Sequence, residues 1–408
     1  MSDRPSWAKR IRAMRESRGW SQAAAAEEMR RHSESALPDA QNLERRWKAW
    51  ELGENKPGAH YAPIIAATLG TATASLFPPE NKPATVDLIA SSGMDTLEIV
   101  SRINISDINS ATLDALRITV ERLCSEYASS DPNSLIVEGR QWLRRLVELQ
   151  DRRLTLSQRR ETLELAGWLA LLVGCLEYDT GRRQAAEATR QAALRLGAES
   201  ETPGVLGWAH EMKAWFALTN GDYRGVIAAA EAGRGASGNH SVGVQLIAQE
   251  AKAYARMGRH REMEQALDIG RKQLDSLPYP DNIQNHFVVD PSKYDFYAMD
   301  CYRHVGDNDR ARELSEEVIR AGTDFDNRER WPMRIAEARI TLGVAAAREG
   351  DLDEALIHGR RALSGPRQSL PSLAMVSRDL GQVLADRYAN EQEAAAYLEQ
   401  IRSLARPS

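Results

Sequence analysis

Long apolar runs are missing from this 408-residue chain: no stretch approaches the roughly 20 residues that cross a bilayer. Its opening, MSDRPSWAKR, also lacks the apolar core and small-residue cleavage site of a secretory signal. Both absences lead us to expect a cytoplasmic protein with no membrane partner. Cysteine is scarce. Cys124, Cys175 and Cys301 lie far apart, with no CxxC pair and no His cluster beside them, which argues against zinc and predicts buried reduced thiols. There is no phosphate loop, G-x-S-x-G elbow, HExxH helix or metal-spaced His pair, and the eight histidines are scattered. Neither an enzyme nor a metal or other cofactor is therefore expected. From about Asp107 onward the alternation of a strand is missing too, so the expected fold class is all-α.

What is present is distributed unevenly. Residues 1–57 hold twelve Lys and Arg against nine Asp and Glu, a surplus of three positive charges, while the chain as a whole is at −5. A small basic head on an acidic body is consistent with one nucleic-acid-binding module attached to a part that does not bind nucleic acid. Helical periodicity starts at once. Trp7, Ile11 and Met14 share one face, with Lys9, Arg10, Arg12 and Arg15 expected on the others. Gly19 ends that helix, and Ser21 is placed to cap a second, SQAAAAEEM. A turn-rich segment over 30–40 follows, then RRWKAWELGENKP, then apolar residues that read as one or two short helices. Prolines 78, 79 and 83 and the string SSGMD suggest a linker. We therefore expect a first domain over 1–78, a linker over 79–106 and a helical domain over 107–408.

In RRWKAWELGENKP, Leu43, Trp47 and Trp50 form one helical stripe, while Arg45, Lys48 and Leu52 point the opposite way, flanked by Glu44 and Ala49. Gly53 supplies a left-handed C-cap and Pro57 prevents resumption. SQ at Ser21–Gln22, the W-E-x-G-x-x-x-P string of Trp50, Glu51, Gly53 and Pro57, and the apolar helices that follow make residues 7–77 resemble the Cro-like XRE class of helix-turn-helix repressors. That resemblance implies that the helix beginning near Leu43 enters the major groove of double-stranded operator DNA. It would bring Glu44, Arg45, Lys48 and Ala49 to base edges and Gln22 to the phosphate backbone. Arginine can bond guanine O6 and N7 bidentately, and glutamate can accept from cytosine N4. The sequence departs from the class in the long link before this helix, which leaves the base-facing register open. A reading module of this kind covers a half-site, so a homodimer is expected.

Beyond residue 107, turn glycines recur at Gly181, Gly221, Gly258, Gly306 and Gly350, at spacings of 37 to 48 residues, a helix-turn-helix period with insertions. Gly174, Gly181, Ala186 and Ala193, and again Gly343, Gly350, Ala355 and Ala362, match the small-residue offsets of a tetratricopeptide repeat, which these units resemble; Met263 and Val226 stand where alanine is expected. Such arrays line their concave side with the first helix of each pair. With the turn glycine as a ruler, Trp168, Tyr178, Trp208, Glu211 and Trp215 are expected on the inner surface, together with Gln245, Lys252, Lys293, Phe296, Asp300 and Arg303. Aromatic faces with separated charges suit an extended peptide. For any one of these residues, filling the core between helices is an equally available role.

The XRE head joined to a tetratricopeptide body resembles the RRNPP class of peptide-responsive regulators. It implies a sequence-specific transcriptional regulator controlled by an effector in the groove, a short peptide first, with a small metabolite or protein partner as the other options. The competing reading is a protein-interaction scaffold whose helix-turn-helix does not bind DNA.

Overall fold

The structure, a computed structural model, describes residues 4–33, 35–77, 108 and 110–404. It is all-α, with nineteen α-helices among the described residues and only an isolated bridge between Thr323 and Glu329 as extended pairing. The chain divides into two compact units, Met1–Asp87 and Leu88–Ser408. The linker expected over 79–106 lies outside the described residues.

The first unit contains α1 (Ser6–Ser17), α2 (Gln22–Glu28), a 3-10 turn (Met29–His32), α3 (Ala40–Leu52), α4 (Tyr61–Thr68) and α5 (Thr73–Leu76). Ser21 caps α2 by accepting from the Ala24 amide. The string SALPDAQ is mostly connection: α3 starts at Ala40, where Asp39 caps the Asn42 amide at 2.9 Å and Pro38 precedes the cap. At the other end Gly53 has φ +78°, and a Cβ there would meet Pro5 Cδ at 2.5 Å, so glycine is required both by its backbone and by its neighbour. Ile11, Ala25, Ala26, Met29, Leu43, Trp47, Trp50, Ile64, Ile65 and Leu76 close over one another as the core.

Arg15 departs from the outward position expected for it. Its guanidinium turns inward to Glu51 and to the carbonyl of Trp20, so this basic residue belongs to the core of the unit. Helical spacing places Arg15 one turn beyond Ile11, on the buried side. Burial is tolerated because a carboxylate waits there.

The second unit is a stack of helix pairs: α6 (Ser110–Glu126) with α7 (Pro132–Leu149), α8 (Leu156–Asp179) with α9 (Arg183–Glu199), and α10 (Pro203–Thr219) with α11 (Tyr223–Ala236). There follow α12 (Val242–Arg256) with α13 (His260–Asp275), α14 (Pro291–Val305) with α15 (Asn308–Gly322), α16 (Pro332–Glu349) with α17 (Leu352–Leu363), and α18 (Leu370–Arg387) with α19 (Gln392–Leu404). All five periodic glycines have positive φ, from +70° at Gly258 to +101° at Gly350. Within pairs the helices cross closely where small residues fall. Ala186, Ala193, Ala355 and Ala362 are fully buried, and a Cβ on Gly343 would stand 3.0 Å from the Ala355 carbonyl oxygen. Met263 and Val226 are buried at the degenerate positions.

The stack folds back on itself. Ahead of α18, Arg367 reaches Asp179 at the end of α8 at 2.7 Å, and Trp215 on α10 donates to Ser372 on α18 at 2.9 Å. The three cysteines are buried and unpaired; burial pushes the Cys301 thiol up to about 12 and raises those of Cys124 and Cys175 as well.

Candidate functional sites

The first candidate is the outer face of α3. Glu44, Arg45 and Lys48 are exposed and Ala49 is half-buried, whereas Leu43, Trp47, Trp50 and Glu51 are buried behind them. Much of the other positive charge in this unit is engaged by the protein: Arg10 bonds the Ser75 carbonyl, Arg18 that of Leu69, and Arg30 that of Pro38. Neither Arg45 nor Lys48 has an ion-pair or hydrogen-bond partner among the described residues. Behind this face Glu51 collects Arg15 at 2.5 Å, Trp47 Nε1 at 2.7 Å and Gln22 Nε2 at 2.7 Å. Burial raises the Glu51 carboxyl, but those three donors outweigh it and hold its pKa below the ordinary value. Gln22 stands at the first position of α2 with its amide nitrogen already given to Glu51. The orientation of α3 is thus fixed by a polar knot as well as by tryptophan burial.

The second candidate is a cavity of about 100 Å³ in the repeat unit, walled by the first helices α10, α12, α14, α16 and α18. Six of the eleven residues expected in the groove line it: Glu211, Trp215, Gln245, Lys252, Lys293 and Phe296. Trp168 lies instead in a larger open hollow of about 1240 Å³, with His240, Pro203 and Phe287. The remaining four are packed away. Tyr178 stacks on Phe216 at 3.8 Å and shares a hydrogen bond with Thr219. Asp300 and Arg303 pair with each other and with Arg256, Asp379 and Thr341 in a network that is buried except at Asp379. Trp208 is sealed beneath Phe287.

That sealing has a cause the periodicity does not carry. The chain between α13 and α14 turns back into the concave side. His286 donates its amide to the Cys124 carbonyl, and Asn285 bonds Glu121, both on α6. Phe287 then inserts between Trp168 and Trp208, with ring centroids 5.5 and 5.3 Å apart. Lys293, expected to face an effector, instead donates to the His286 and Val288 carbonyls at 2.6 and 3.0 Å. Part of the groove is therefore filled by the protein's own inter-helix segment. Burial, reinforced by the charge of Arg334, lowers the Lys293 pKa, and burial also drives that of His286 well below its ordinary value.

Sequence reasoning missed Gln249, Tyr297, Arg334, Glu337, Ser369 and Met375, all on the cavity wall. Two of them were within reach of the ruler. Glu337 stands thirteen residues before Gly350, as Gln245 stands thirteen before Gly258 and Lys293 thirteen before Gly306; Gln249 is one helical turn beyond Gln245.

The polar chemistry of the wall is only partly satisfied internally. Gln245 and Gln249 both give their amide nitrogens to Glu211 Oε1, each at 2.7 Å. With both nitrogens directed at a carboxylate, both amide oxygens must face elsewhere, and neither has a hydrogen-bond partner; the same holds for Glu337 Oε2, Ser369 Oγ and Arg334 Nη1. Burial raises the Glu211 and Glu337 carboxyls. A buried polar group left unpaired costs about 1–3 kcal/mol, so five around one cavity make its wall a surface that hydrogen-bonds any polar occupant, water included.

No group of three His, Cys, Asp or Glu among the described residues is placed to hold a metal ion, and none of the described helices is long and apolar enough to cross a membrane. No family model matches the chain, and a search of curated proteins returns no match.

Proposed function

We propose that the protein is a DNA-binding transcriptional regulator whose operator affinity is set by an effector bound among the helical repeats. The observation that carries this reading is the outer face of α3: Arg45 and Lys48 are exposed and unpartnered on a helix whose opposite face is locked by Trp47, Glu51 and Arg15. A rigid helix offering a guanidinium and an ammonium beside Glu44 and Ala49 suits major-groove entry. There bidentate arginine and glutamate contacts discriminate bases, while Gln22 opens α2 near the backbone. Because one such module spans a half-site, the active species is a homodimer.

The effector acts only if it binds the DNA-competent and DNA-incompetent arrangements with different affinity. The cavity is the favoured site, since its wall joins five first helices and a guest there touches each of them.

The test is selection of genomic fragments by the intact protein, followed by titration of the enriched sequence at several salt concentrations. We expect specific binding that weakens with salt, and a loss of at least tenfold when Arg45 and Lys48 are both changed to alanine. Failure to enrich any fragment, with the protein folded, would favour the scaffold reading, in which the repeat unit recruits a protein partner. Light scattering that finds a monomer on operator DNA would remove the dimer.

A further inference from the structure

Resting on the reading of the cavity as an effector site, we propose that its ligand is a free α-amino acid with an apolar side chain, held as a zwitterion between Glu337 and Arg334. Size sets the first limit. About 100 Å³ is several times the roughly 10–15 Å³ that a single water requires, so the site has room for a compact small molecule.

Charge sets the second. Five Glu, Lys and Arg side chains line the cavity, and three are already occupied. Glu211 is held by the two glutamines, Lys293 is spent on the loop carbonyls, and Lys252 lies over the Tyr297 ring at 5.2 Å with Asp300 behind it at 3.8 Å. Glu337 and Arg334 remain. Glu337 has a buried oxygen with no partner, and Arg334, stacked on Trp331, has a buried Nη1 with none, its nearest carboxylate being Asp290 at 3.9 Å.

The two stand three residues apart on α16, neighbours on one helix face roughly 5–6 Å apart at Cβ. One molecule carrying an ammonium and a carboxylate on the same carbon can meet both. The remaining acceptors agree with this polarity. An ammonium has three hydrogens to donate, and Glu337 Oε2, Gln245 Oε1 and Gln249 Oε1 are three buried acceptors on the same wall. Trp215, Phe296 and Met375 supply the apolar surface on which the side chain would rest.

The experiment is calorimetric titration of the full chain with L-leucine and L-phenylalanine. The comparison ligands are phenethylamine, which lacks the carboxylate, N-acetyl-L-phenylalanine, which lacks the ammonium, and a mixed panel of pentapeptides. We expect a free amino acid to bind, and each analogue to bind at least tenfold more weakly than its parent. Glu337→Gln and Gln249→Leu should each weaken the amino acid by tenfold or more, while Leu156→Ala, at an exposed position of the larger hollow, leaves it unchanged. The analogue series on the unaltered protein decides the matter even if a cavity variant fails to fold. Equal binding of the N-acetyl derivative, binding of pentapeptides alone, or no binding by either amino acid would overturn the proposal. Amino-acid binding that leaves operator affinity unchanged would keep the ligand and remove the regulatory role.

Discussion

Arg15 and Glu51 are thirty-six positions apart in the sequence, yet the guanidinium of one lies 2.5 Å from the carboxylate of the other, inside the first unit. The pair joins α1 to α3 and is completed by Gln22 from α2, so one carboxylate ties together the three helices that present the basic face. Glu51→Gln removes the charge and leaves Arg15 with only the half-exposed Glu16, 3.3 Å away, as a counterion. A loss of about 1–3 kcal/mol in the stability of this unit is expected. The pH dependence follows from the lowered folded pKa. The contribution is complete above the ordinary glutamate value of 4.5 and fades as pH falls through the lower folded value. Denaturant titrations at pH 7 and pH 3.5 should show a wide gap between variant and parent at the first and a narrower one at the second; an equal gap at both would contradict the assignment.

The tryptophan stripe, the caps at Ser21 and Gly53 and all five repeat turns could be read from the sequence because each depends on spacing within one or two helical turns. Arg15 was misplaced because its partner is distant in the chain, and no local pattern announces a buried carboxylate. The groove shows the same division. Gln245, Lys293 and Glu337 share one offset from their turn glycines and reach the same cavity, whereas Tyr178 and Arg303, three residues before theirs, sit in the last turn and are buried. The segment bearing Phe287 falls in an insertion outside the period, so periodicity could not place it in the groove.

The return of the stack on itself rests on Arg367 and Asp179, 188 positions apart, and Asp179 also accepts from Tyr127 at 2.7 Å. Both side chains are almost wholly buried. Arg367→Met leaves a bare carboxylate and Asp179→Asn a bare guanidinium, each expected to cost about 3–5 kcal/mol. The double variant should be less damaging than the sum of the two, with a coupling of about 0.5–3 kcal/mol. Chemical denaturation of all four proteins measures the cycle, and strict additivity would deny the contact.

Glu250 on α12 is the opposite case from Glu51. Burial pushes its carboxyl from 4.5 to about 6, against the attraction of Arg234, whose guanidinium is 3.0 Å away but off the hydrogen-bonding line. Nearby Glu231 raises it further. Because the folded value exceeds the unfolded one, the carboxyl is tolerated below pH 4.5 and becomes a growing penalty as pH rises through 6. Glu250→Gln should therefore stabilise the second unit by about 2 kcal/mol at pH 8. That gain should disappear at pH 4. Thermal melts across this range check the sign, and a variant less stable than the parent at pH 8 would show that the Arg234 attraction outweighs desolvation.

Phe287 tests whether the groove is held shut by the chain itself. Its ring fills the space between Trp168 and Trp208, and the carbonyls on either side of it are clamped by Lys293. Phe287→Ala leaves a hole that the fixed helices α8 and α10 cannot collapse to fill, so a cost of about 3–5 kcal/mol is expected. The local consequence separates this residue from any other core phenylalanine. Trp208, sealed in the parent, should become accessible to water, shifting tryptophan emission to longer wavelength and admitting acrylamide quenching. Lys293→Met should give the same optical change through loss of the clamp. If both variants keep the parent emission and quenching, the segment is packed over the groove by contacts other than these.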